Sequence, residues 1–99
     1  MKFLCLDRPL PDATFDKYQP HLINEVRHTW EAYKKGTIRD IYFRQDRPGV
    51  AIILECGSSE EARKFFSEFP LSKAGLIDFD VIPIGPFVNW ELLFSTAGK

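Results

Sequence analysis

Two groups of side chains have the types and spacing for acid–base chemistry on a small molecule. His21, Glu25 and His28 recur at i, i+4 and i+7, so a helix would carry them on one flank. A carboxylate or an imidazole there could move a proton between carbons at the rim of a pocket. The spacing is not HExxH and no other ligand cluster accompanies it, so no metal is expected. The more ordinary reading is a solvated helix flank. Tyr42, Arg44 and Glu55 fall on one face of a hairpin. Arg44 could hold an anionic substrate through its planar fork, with Tyr42 as donor and Glu55 as base. The competing reading pairs Arg44 with Glu55 or Asp40 in an interface network. Tyr18, Trp30 and Tyr33 interrupt an aliphatic helix stripe. They either line a pocket for a flat organic ligand or are core residues with satisfied polar tips. Cys5 has no paired His and is expected to be buried and inert. No phosphate loop, Ser-His-Asp order or dinucleotide fingerprint occurs.

The hairpin group depends on two runs, Ile38 to Gln45 and Val50 to Cys56, around Arg47-Pro48-Gly49. Both are rich in β-branched and aromatic residues. Pro fixes φ at one turn corner and Gly permits a positive φ at the next, which predicts a β-hairpin. One face would carry Arg39, Ile41, Phe43, Val50, Ile52 and Leu54. The other would carry Asp40, Tyr42, Arg44, Ala51, Ile53 and Glu55. Neither face is solvent-like, so two covering layers are expected. Either face could look at the helices.

The helix group depends on Phe15, Tyr18, Leu22, Val26, Thr29 or Trp30, and Tyr33, which form one helical stripe. Pro20 fits only near a helix start, so the spacing predicts a separate turn over 12–18 and a main helix from about 19 to 35. Lys34-Lys35-Gly36 is its stop. Before it, residues 2–7 read as a strand and Asp7 to Asp12, with two prolines, as a loop. After the hairpin, Ser58 and Glu61 form a capping box. Ala62, Phe65, Phe66 and Phe69 are the second helix's stripe, and Pro70 ends it. A fourth strand is expected over 76–84, with Pro83 at an edge or at its end.

The 99 residues make one domain. Nine Phe are more than so small an interior hides, which points to a subunit interface. With a net charge of −1 and no basic patch, nucleic acid is an improbable partner. No apolar run approaches the ~20 residues of a membrane span, and the opening is too short for a signal sequence, so the cytoplasm is the expected location. The order βαββαβ predicts a ferredoxin-like α+β fold, an antiparallel sheet in the order 4-1-3-2 with both helices on one face. The bare second face calls for another copy of the same sheet, hence a homodimer. Cys5 and Cys56 would lie at opposite ends of the sheet, so no disulfide is expected between them. Residues 85–95, with Trp90 and Phe94, lie beyond the last strand and are expected to form a C-terminal interface tail packed on the partner.

Gly36-Thr37-Ile38-Arg39, Phe69-Pro70-Leu71 and Ile77-Asp78-Phe79-Asp80-Val81 resemble the muconolactone isomerase-like family, within the dimeric α/β-barrel superfamily. The similarity runs from roughly Leu22 to Ile84. The turn Arg44 to Gly49 and the tail Gly85 to Glu91 depart from it and look more like a branch of small proteins with no established reaction. The resemblance implies sheet-to-sheet dimers or larger assemblies and a pocket in each subunit. It also implies an acidic residue at Glu25 and an arginine at Arg39. The function expected is a small-molecule enzyme or binder doing acid–base chemistry on a small organic acid or lactone, with no cofactor. Glu25, His21 and Glu55 are the candidate catalytic residues; Tyr18, Trp30, Tyr42 and Arg44 would bind substrate. The alternative is a non-catalytic homo-oligomeric interaction or regulatory module.

Overall fold

A computed structural model describes residues 1–94. Alternation at period two starts the chain: Phe3 and Cys5 are fully buried, while Leu4 and Leu6 turn to the other side. The resulting strand β1 (Lys2–Pro9) is longer than the sequence suggests. Asp7 and Arg8 belong to it, not to a loop, because β4 (Ile77–Ile84) pairs with it from Lys2 to Pro9. Arg8 is held there by Asp78 and Asp80, each at 3.3 Å. The hairpin forms as expected from β2 (Ile38–Phe43) and β3 (Val50–Glu55). A bulge between Ile38 and Asp40 interrupts its ladder. The sheet order is β2-β3-β1-β4 with antiparallel neighbours, the ferredoxin-like arrangement.

The helical side begins with a short turn, α1 (Phe15–Tyr18), and a 3-10 turn holding Pro20 (Gln19–His21). Helix α2 (Leu22–Lys35) follows and ends on Gly36, whose φ of +88° closes the helix as glycine can. Helix α3 (Ser59–Ser67) is capped reciprocally: Ser58 Oγ accepts from the Glu61 amide, and Glu61 Oε2 accepts from the Gly57 amide. A single turn, α4 (Pro70–Lys73), leads into β4. The core lies between this layer and one sheet face, with Phe3, Ile38, Ile52, Leu54 and Phe69 almost fully enclosed.

The ladder decides which hairpin face meets the helices. Ile41 pairs with buried Ile52 and Phe43 with Val50, so the more apolar face is the covered one. Asp40, Tyr42, Ala51, Ile53 and Glu55 lie on the open face, beside Leu4, Leu6, Ile82 and Ile84. The helix stripe departs from expectation. Ala32 and Glu25 point inward, while Val26, Trp30 and Tyr33 are 48–59% exposed. A small residue at position 32 lets α2 approach the sheet closely, and the large rings turn away. Cys5 and Cys56 are both free thiols. Burial, with the nearby Cys56 adding to it, pushes the Cys5 thiol up to about 12, which keeps it protonated and unreactive.

Candidate active site

Among the paired strand positions, the covered face carries apolar residues with one acidic exception, Asp7. It sits opposite Phe79 on β4, and its side chain is only 14% exposed. Its Oδ1 accepts from the Val50 amide at 3.0 Å, and Val50 in turn faces Phe43 on β2. Arg47 donates from Nη2 to the Asp7 carbonyl at 2.7 Å, with Nη1 lying 3.7 Å from the carboxylate. Placing a carboxylate in an apolar row costs free energy, and such groups concentrate where chemistry is done.

Helices bring two further groups to this end of the sheet. Glu25, on the inner side of α2, accepts from the Leu71 amide at 3.0 Å and so caps the first turn of α4. Tyr18, at the end of α1, is half-buried against the core. The charge of Asp7 reaches the other two. Burial raises the Asp7 carboxyl above its ordinary range, against the pull of the Val50 amide and the Arg47 and Arg44 charges. Burial also raises Glu25, the Leu71 amide opposes this, and the charge of Asp7 adds to it. The Tyr18 phenol is raised by burial first, then by Asp7 and Glu25. The Arg44 charge reaches Asp7, but its guanidinium is tied to Asp46, donating from Nε at 2.8 Å. That hydrogen bond draws the Asp46 carboxyl down to about 2.

Of the residues expected from sequence, Tyr18 and Glu25 lie near enough to Asp7 for its charge to raise both, and the Arg44 charge acts on Asp7 in turn. The others are placed elsewhere. Tyr42 is 60% exposed on the open sheet face. Glu55 stands at the far end of the sheet opposite Lys2, accepting from the Met1 amine at 2.9 Å and from Lys2 Nζ at 3.4 Å. Those bonds, the amine's first, hold its carboxyl below the usual range. Trp30 is 55% exposed and stacks on Tyr33. His21 is half-buried in the turn that precedes α2. His28 leans edge-on against Phe69, with ring centres 4.8 Å apart. Asp7 and Arg47 were not singled out by sequence reasoning. The signal for Asp7 was present in the alternation Phe3, Cys5, Asp7, but the prolines that follow made the strand look shorter.

A groove of ≈ 680 Å³ follows β4, lined by Arg8, Arg63, Phe66, Asp78 and Phe79 among others. Asp7, Tyr18 and Glu25 do not line it. No group of three or more His, Cys, Asp or Glu side chains among the described residues is arranged to hold a metal ion. No helix there is long and apolar enough to cross a membrane.

No protein-family model and no curated protein sequence matches the chain. Among solved structures it is similar to 5-chloro-2-hydroxyhydroquinone dehydrochlorinase from Burkholderia phenoliruptrix, in complex with 2,5-dihydroxybenzoquinone. The TM-score is 0.62 at 23% identity, over 86% of this chain and 94% of the dehydrochlorinase. At that identity the match establishes a common fold, and the chemistry has to be argued from the site.

Proposed function

We propose that this chain is a small-molecule enzyme whose Asp7, Glu25 and Tyr18 carry out acid–base chemistry on a small enolisable organic acid, lactone or hydroxylated ring. The observation that carries this reading is Asp7 itself, a carboxylate on the covered sheet face whose charge acts on Glu25 and Tyr18. The charge of Asp7 raises Glu25, and carboxylates coupled in this way lose their protons in separate steps, so that one serves as a base while the other remains an acid. The ionised member takes a proton from the carbon next to a carbonyl, and the protonated member or the Tyr18 phenol returns one. Arg44, at the rim, exchanges Asp46 for a substrate anion. The reading needs neither metal nor nucleotide. The similar dehydrochlorinase acts on a hydroxylated ring, which lends support to this substrate class.

The test is deuterium wash-in from heavy water, followed by NMR on muconolactone and on 2,5-dihydroxybenzoquinone. The protein should accelerate exchange at the acidic carbon of at least one of them. Asp7→Asn and Glu25→Gln should each remove about 10²–10⁴-fold of that acceleration. Arg44→Ala should weaken binding of the anionic probe while circular dichroism stays unchanged. Absence of both exchange and binding would leave the second reading, an assembly module, which the exposed apolar tail favours.

The same reading includes a homodimer through the open sheet face, where Leu4, Leu6, Ile53, Ile82 and Ile84 lack a covering layer. Light scattering at micromolar concentration should give twice the 11.5 kDa chain mass, and a monomer there would refute it.

A further inference from the structure

Two apolar surfaces of this chain lie uncovered. The first is the tail. Phe87, Val88, Trp90, Leu92, Leu93 and Phe94 are between 60% and 81% exposed. A 3-10 segment (Val88–Leu93) organises them, and Phe87 stacks edge-on against Trp90. The tail stands away from the body: the radius of gyration is 16.9 Å, against about 13 Å for a compact chain of this length.

The second surface is a gutter between α2 and β2. One flank of α2 is taken up by α3 and α4, because His28 meets Phe65 and Phe69 and Glu25 meets Leu71. The opposite flank therefore overhangs β2, against which α2 packs. Val26, Trp30 and Tyr33 are exposed along that flank at 59%, 55% and 48%. Ile41 and Phe43, on the helix side of β2, are exposed at 37% and 79%. Large apolar groups left bare on two facing elements mark a binding site.

We infer that the gutter of one chain receives the C-terminal tail of a second copy. The chain's own tail is badly placed for it. Ile84 pairs with Lys2, so the tail leaves β4 at the end of the sheet away from Asp7. Phe43 lies at the Asp7 end of β2, the opposite edge, three strand spacings or ~14 Å across. Tail and Phe43 occupy diagonal corners. The homodimer proposed above removes the mismatch, and this inference rests on that dimer. A two-fold axis parallel to the strands, between two open sheet faces, sets the β4 edge of one copy beside the β2 edge of the other. The tail then enters the gutter at Tyr33 and Trp30 and runs toward Phe43, in the same strand row as Asp7. Each tail would wall in its partner's site.

The experiment uses the full chain with Trp30→Phe, which keeps a ring in the gutter and leaves Trp90 as the sole tryptophan. Acrylamide quenching of Trp90 is followed from nanomolar to high micromolar concentration, with the mass measured in parallel by sedimentation. Quenching should fall several-fold as dimer forms, and adding Phe43→Ser with Ile41→Ser should restore it. Quenching that is weak at every concentration would mean the tail docks on its own chain and would overturn the inference. Strong quenching throughout, in a protein that sediments as a dimer, would overturn it while leaving the sheet-face dimer intact. A concentration dependence indifferent to Phe43→Ser and Ile41→Ser would place the tail elsewhere. A chain that stays monomeric would refute the dimer and this inference together.

Discussion

The two long helices of this fold, α2 and α3, are built to opposite rules. Helix α3 has a complete cap at its start and sets Phe66 against Phe79, where Phe69, just before α4, joins them and Phe65 closes the side; ring centres lie 4.1–5.5 Å apart. Helix α2 starts without a side-chain cap, turns a carboxylate inward and leaves its rings outside. The α3 half of the helical layer is therefore sealed by apolar packing, while the α2 half keeps Glu25, beside Asp7, at a cost in stability. The division teaches where each kind of residue can be carried: the α3 half supplies free energy that offsets the buried carboxylates of the α2 half.

The largest expected effect breaks the sealed half. Phe69 is 1% exposed, and Phe69→Ala should cost about 3–5 kcal/mol, close to the whole stability of a small domain. Urea unfolding monitored by circular dichroism would show it. A cost below about 1 kcal/mol, the ordinary value for a point change, would mean that the aromatic cluster is not what holds this half. A smaller effect is expected at the α3 cap, where Ser58→Ala should cost about 1 kcal/mol in the same assay.

The smallest effect has the opposite sign and belongs to the α2 half. Asp7 and Glu25 are raised in the folded state, so folding favours their protonated forms. Their contribution to stability is full below the unfolded carboxylate value of about 4 and is lost as pH rises through the folded values. Asp7→Asn and Glu25→Gln keep an oxygen to accept from Val50 and Leu71. Both variants should therefore melt higher than the parent at neutral pH, and the gap should close in acid. Asp46 behaves the other way, since its carboxyl is lowered to about 2, and its contribution is lost only as pH falls toward that value. Melting curves that keep a constant gap from pH 3 to 8 would remove the cost assigned to the α2 half.

Much of the fold was legible in the sequence because local signals agreed with one another. The Pro48-Gly49 turn, the Ser58/Glu61 cap and the Gly36 stop each rest on a few adjacent residues, and each appears where expected. The site was only partly legible because it depends on choices made across the sheet. Tyr42 and Glu55 share a face, as their spacing requires, but only the pairing of Ile41 with buried Ile52 shows that this face is the open one. Large apolar residues at Val26, Trp30 and Tyr33 suggested the inner stripe. What decided otherwise was Ala32, whose small side chain suits the close approach to the sheet. Asp7 was hidden by Pro9 and Pro11, which ended the strand too early in any local reading. It took the long pairing with β4 to extend that strand.

The two carboxylates of the site are each tied to one main-chain amide, Asp7 to Val50 and Glu25 to Leu71. A hydrogen-bonded amide shifts its proton resonance when its acceptor changes charge. Two crosspeaks in a nitrogen-15 correlation spectrum therefore act as independent indicator dyes, one for each acid. Titrated together, they reveal which carboxylate gives up its proton first, and addition of a ligand reveals which of the two it touches.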